Sequence, residues 1–208
     1  SFVTEIASGI VLIVFNLRLL HLGGNITVAA YGVIANLSLI AIAIFTGVGQ
    51  GVQPLVSTHY GAGRLENVNT LRRYAILLST ALAALIFVVV YVFGSDIAEL
   101  FNGDENELFN QIATTGLRVY FVGFFFAGIN VLLSIYFSAV EEARAGFAIS
   151  LLRGFVLIVP LALLLSEPFG VMGIWLTFPL TEALVFALGI IKTTGRKAQI
   201  RANLITRI

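Results

Sequence analysis

The chain has 208 residues, 59% of them hydrophobic and 11% charged, with a net charge of +1 and a mean hydropathy of +1.00. Water-soluble domains carry roughly 25% charged residues, so lipid must be the solvent for much of this surface. The near-neutral balance gives no reason to expect nucleic acid as a partner. With no cysteine and only two histidines, His21 and His59, far apart at helix ends, disulfides, thiolate chemistry and a histidine-rich metal site are excluded, and no cofactor is expected.

The sequence opens with Ser1 directly against an apolar run, without the basic leader and cleavage site of a signal peptide. It reads as a fragment of a longer protein. A hydrocarbon layer about 30 Å thick takes about 20 apolar residues of helix, and six stretches reach that length. The first covers residues 2–20, carries Glu5 and Asn16, and is closed by His21-Leu22-Gly23-Gly24-Asn25. The second, 27–57, holds Asn36, Gln50 and Gln53 among Gly47, Gly49, Gly51 and Pro54. Its glycine run lacks the Gly-Lys-Ser/Thr ending of a phosphate loop, and Gly with Pro in an apolar helix predicts a kink and close backbone approach.

The third span covers 71–93. The fourth, 111–140, is strongly aromatic, with Tyr120, Phe124, Phe125, Phe126 and Tyr136 beside Asn130. Such rings can line a cavity for flat organic cations, with lipid-facing packing as the default expectation. The fifth span, 146–165, contains Arg153, and the sixth, 170–191, contains Glu182. No stretch alternates like a strand, and an open sheet leaves backbone polar groups unsatisfied in lipid. The expected fold is all-α: a polytopic six-helix bundle over residues 1–192, followed by a basic tail, 193–208, lying near anionic headgroups.

Lys and Arg are retained on the cytoplasmic side. One side of the bundle collects Arg64, Arg72, Arg73, Arg144, Lys192, Arg196, Lys197, Arg201 and Arg207, whereas the largest loop opposite holds Asp96, Glu99, Asp104, Glu105 and Glu107. Both ends are therefore expected in the cytoplasm of a cell with this protein in its inner membrane.

Ionisable groups within spans are costly and usually paired. Arg153 stands about 10 Å deep and Glu182 about 15 Å deep at 1.5 Å per residue, on consecutive helices, so their heads fall within reach. A fixed ion pair stitching the two helices is one reading; a proton- or cation-responsive Glu182 is the other. Glu5 has no evident cationic partner, so it must stay protonated, bind a cation or reach water, which makes it a coupling-ion candidate or a hydrated interfacial residue. The amides Asn16, Asn36, Gln50, Gln53 and Asn130 favour partners across helices; together with Tyr136 they are the candidates for lining a substrate cavity.

Two segments carry a family resemblance. Residues 47–64, GVGQGVQPLVSTHYGAGR, resemble the end of the eighth helix of multidrug and toxic compound extrusion (MATE) transporters. Residues 151–182, LLRGFVLIVPLALLLSEPFGVMGIWLTFPLTE, resemble their last two helices, including the Gly-x-x-Gly-x-Trp-x-x-x-Pro spacing from Gly170 to Pro179. The resemblance runs from Phe2 to about Lys192 and is nearest to the bacterial MepA-like or DinF-like branch. It implies half of a twelve-helix transporter, the C-terminal lobe, working against a missing N-terminal six-helix lobe. It also implies export of small organic cations in exchange for Na⁺ or H⁺ by alternating access. Some relatives use a carboxylate in the seventh helix, which Glu5 matches by helix; others place an acid in the tenth, and the fourth span here has none. A lipid-linked oligosaccharide flippase of the same superfamily and a structural membrane protein are the alternatives. An intramembrane enzyme lacks its residues here, since no Asp and no deep His lies in any span.

Overall fold

The computed structural model describes the backbone of residues 2–103 and 105–205 and the side chains of residues 9–103 and 105–191. Among the described residues there is no strand. The chain runs through α1 (Phe2–Gly61), α2 (Leu65–Leu100), α3 (Glu107–Tyr120), a 3₁₀ turn (Phe121–Gly123), α4 (Phe124–Ala139), α5 (Ala143–Leu151), a π turn (Leu152–Val156), α6 (Ile158–Phe169) and α7 (Val171–Ile205).

Among the described residues, five helical stretches, rather than six, are long and apolar enough to cross a membrane. The difference lies in α1, whose helix assignment runs on across a break at Gly24 (φ 71°, ψ −163°), a left-handed conformation that glycine adopts without a Cβ penalty. The chain reverses there. Thr27 Oγ1 donates to the carbonyl of Leu19 at 2.7 Å and to that of Gly24 at 2.8 Å. The rings of Phe15 and Tyr31 lie 5.3 Å apart, where a straight helix would separate them by about 24 Å. Two antiparallel limbs therefore make up α1, and the apolar stretches give six limbs.

The expected kink sits elsewhere than the sequence suggested. Through Gly47 and Pro54 the dihedrals stay helical, and Gly24 carries the break. Pro54 removes a backbone donor and crowds the preceding turn, yet the backbone there keeps its helical dihedrals.

The α3–α4 rod is the centre of the bundle. Over half of its apolar window, 56%, is buried, against 17% for α2. Several of its aromatic rings are correspondingly interior and not lipid-facing: Tyr120 stacks on Phe178 at 4.4 Å, and Phe121 and Phe124 join the buried core with Phe15, Phe45 and Trp175, whereas Phe125 and Phe126 are half-buried. Gly123 allows this packing, because a Cβ there would stand 3.0 Å from the Pro179 Cα of α7. The π turn separates α5 from α6 with the Leu157 N–H donating to the Leu152 carbonyl at 3.0 Å, five residues back. The helix of α7 continues past residue 192 to Ile205; the side chains of the basic tail lie outside the described residues.

Candidate functional site

Polar atoms inside the bundle converge on Glu182, which is 1% exposed on α7. A π turn inserts an extra residue into a helix and re-aims the side chains around it, often at functional sites, and Arg153 stands in this one. Its Nε donates to Glu182 Oε1 at 2.9 Å and to Oε2 at 3.3 Å, and its Nη2 donates to Oε1 at 2.6 Å. From α4, fully buried Asn130 donates through Nδ2 to Oε2 at 2.7 Å and to the Glu182 backbone carbonyl at 2.9 Å. Asn130 Oδ1 and the neighbouring Thr181 Oγ1 have no partner among the described residues.

The guanidinium fork matches a carboxylate in two places at once, and the pair is neutral overall, which is how a charge survives in hydrocarbon. The cluster therefore ties α4, the π turn and α7 together. A proton or metal ion arriving at Glu182 must displace Arg153, because the carboxylate already accepts from both partners. The side chains of Tyr31 and Tyr120 are buried as well, on α1 and α3.

The remaining candidates divide by location. Asn130 and Tyr136 are buried within the bundle, so neither lines an outer face. Tyr136 instead carries the Arg72 guanidinium over its ring, 5.4 Å from the centroid. Asn16 is half-buried on the first limb of α1. The Glu5 side chain lies outside the described residues.

On the second limb of α1, Asn36 and Gln50 are exposed, and Gln53 is half-buried. Steps of seven residues, nearly two helical turns, bring Asn36, Ala43, Gln50 and Ser57 to one exposed face, with Gly47 and Pro54 along its middle. Among the described residues, Asn36 donates only to the Gly32 carbonyl of its own helix, at 2.9 Å. That face also exposes Leu39 (68%) and Ile40 (60%), so its amides sit among apolar side chains, whereas on α2 Leu77, Leu85, Val88, Val92 and Phe93 are each more than half exposed. Hydrocarbon suits the α2 surface and penalises the exposed amides of α1.

One contact had no signal in the sequence. Arg18, on the first limb of α1, pairs with Glu167 at the end of α6, 2.5 Å away. The two are 149 positions apart, and both read in isolation as ordinary charges near helix ends.

Long apolar helices, an internally neutralised ion pair and lipid-compatible outer faces define a multi-pass α-helical membrane protein. This chain belongs to the MatE family, whose model matches residues 1–184. It is 26% identical over 187 residues to the "Multidrug export protein MepA" of Staphylococcus aureus (strain bovine RF122 / ET3-1), covering 88% of this chain and 40% of that protein. The protein of the same name from Staphylococcus saprophyticus is 26% identical over 174 residues, covering 84% and 38%. The fold is that of solved MATE family transporters. An inward-facing structure superposes with a TM-score of 0.88 at 17% identity, over 96% of this chain and 46% of that one. An outward-facing structure gives 0.87 at 17% identity, over 96% and 45%. The chain thus spans about two fifths of the curated relatives' length.

Proposed function

We propose that this chain is the C-terminal lobe of a cation-coupled multidrug exporter of the cell membrane, with both ends in the cytoplasm. It would move organic cations by alternating access across a cavity shared with a second six-helix lobe. The observation that carries this reading is the pair of exposed amides, Asn36 and Gln50, on one face of the second limb of α1. Amides at membrane depth need water, ligand or protein beside them, and a lobe facing a central cavity meets that need. Two relatives that bear the name of multidrug export proteins support the substrate class.

For the coupling ion, H⁺ or Na⁺, the saturation of Glu182 by Arg153 and Asn130 favours Glu5 as the carboxylate left to load and unload. The same saturation speaks against the flippase alternative. A diphosphate needs cationic groups in the cavity, and the deep Arg153 is already neutralised.

The test uses the full-length protein in energised vesicles. Ethidium efflux is expected, lost when the ion gradient is dissipated, and Glu5→Gln is expected to weaken its dependence on that gradient. Efflux insensitive to the gradient would overturn coupled transport; an unchanged ion dependence in Glu5→Gln would remove Glu5 from it.

A further inference from the structure

Pro54 stands inside the second limb of α1. Having no N–H, it leaves the backbone carbonyl four residues before it without the usual helical donor. That carbonyl belongs to Gln50. Positions 50 and 54 are about one helical turn apart, and both residues are exposed, which places the carbonyl between them on the outer face of the limb. The Gln50 side chain adds a second oxygen, and it bonds to nothing among the described residues. Two acceptors at one level of a membrane helix are thus left open.

The surroundings decide what can reach them. Gly47 and Gly51 flank Gln50 at exposed positions, and a Cβ added at either would meet nothing within 4 Å. The backbone can be approached there, where a branched side chain would shield it. Residues 26–61 contain no Asp and no Glu, so this limb offers a cation no carboxylate, and attraction has to come through hydrogen bonds. An N–H that carries positive charge makes a bond about twice as strong as a neutral one. A quaternary ammonium ion has no such hydrogen and gains only the weaker pull of the oxygen dipoles. Beside the acceptors, Ile44, Gly47, Gly51 and Leu55 follow one another at steps of three and four residues along one side of the helix. Ile44 and Leu55 are exposed as well, which leaves an apolar strip for the rest of a ligand.

We infer that Gln50 and the carbonyl freed by Pro54 form a subsite for cations that carry an N–H, such as protonated amines and amidines. The inference rests on the proposed export cavity beside this face and adds to it a class of substrate. The cation's N–H donates to the Gln50 carbonyl oxygen, with Oε1 beside it as a second acceptor. Its apolar body lies over Gly47 and Gly51 toward Ile44 and Leu55. Quaternary cations enter the same cavity without making these bonds.

The test uses the full-length protein in lipid nanodiscs and two fluorescent probes of nearly equal size. One is a dansyl-linked tertiary amine, protonated at pH 7; the other is its N-methylated quaternary counterpart. The wild-type protein should bind the amine about tenfold more tightly, the worth of one charge-assisted hydrogen bond. Pro54→Ala returns an N–H to the Gln50 carbonyl in a backbone that is already helical, and Gln50→Leu removes the side-chain oxygen. Each should weaken binding of the amine by about threefold and narrow its lead over the quaternary ion. Equal binding of the two cations by the wild-type protein, with both exported from energised vesicles, would overturn the subsite and leave the export function standing. So would an equal loss for both cations in the two variants, the mark of an altered cavity shape. If the wild-type protein binds and exports neither cation, the proposed export function fails and the subsite fails with it.

Discussion

Two polar regions of the same chain sit at membrane depth and behave in opposite ways. Inside the bundle, Asn130 and Glu182 are buried, Arg153 is partly buried, and the three bond to one another. On the second limb of α1, Asn36 and Gln50 are exposed, and Asn36 bonds only to its own helix. The first region ties α4, the π turn and α7 together, although Asn130 Oδ1 and Thr181 Oγ1 have no partner among the described residues. The second makes no bond to another helix through either amide among the described residues, which is why the proposed cavity is set against it.

The largest effect expected from this contrast is on stability. Glu182→Ala leaves the Arg153 charge unpaired in the interior and should cost about 3–5 kcal/mol, read as a fall in the melting temperature of the full-length protein in detergent. Replacing both partners, Arg153→Met with Glu182→Leu, should recover most of that loss. A single variant as stable as wild type would mean that the cluster holds nothing together.

Next in size is a charge placed on each kind of outer face. Leu85→Arg on α2 puts a guanidinium into lipid and should cost about 2.5–3.5 kcal/mol in membrane insertion. Ala43→Arg on the polar face of α1 should insert far more cheaply and abolish export of cations by repulsion. Equal insertion penalties would erase the distinction between the two faces.

A smaller effect separates binding from folding. Gln50→Leu and Asn36→Leu should change stability by less than about 0.5 kcal/mol while altering the KM for exported dye. Smallest of all is Arg18→Ala. Its partner Glu167 is 73% exposed, and solvent screening holds such a pair below about 1 kcal/mol, a difference that should shrink further as salt is added to the melting assay.

The sequence reveals these regions unevenly. Apolar length alone is enough for the helical bundle, and Gly23-Gly24-Asn25 marks the first reversal because glycine is needed there. Arg153 and Glu182 can be brought together by counting depth along consecutive helices. Asn130 cannot be assigned to them that way, since its role depends on the rotation of α4, and a helix apolar on all sides does not advertise which face is inward. The same uniformity hides the burial of Phe124. The π turn is equally silent, because nothing in Leu152–Val156 differs from ordinary helical sequence. Arg18 and Glu167 meet only through the tertiary arrangement of α1 and α6.

The central claim is that the polar limb of α1 faces water or substrate while α2 faces lipid. It is most directly tested by placing single cysteines, absent from this chain, at Gln50 and Leu85 in a cysteine-free full-length background. Opened membranes would then be exposed to a membrane-impermeant maleimide. The account predicts labelling at Gln50→Cys, slowed by ethidium, and none at Leu85→Cys. Equal labelling at both positions, or silence at Gln50→Cys, would contradict it.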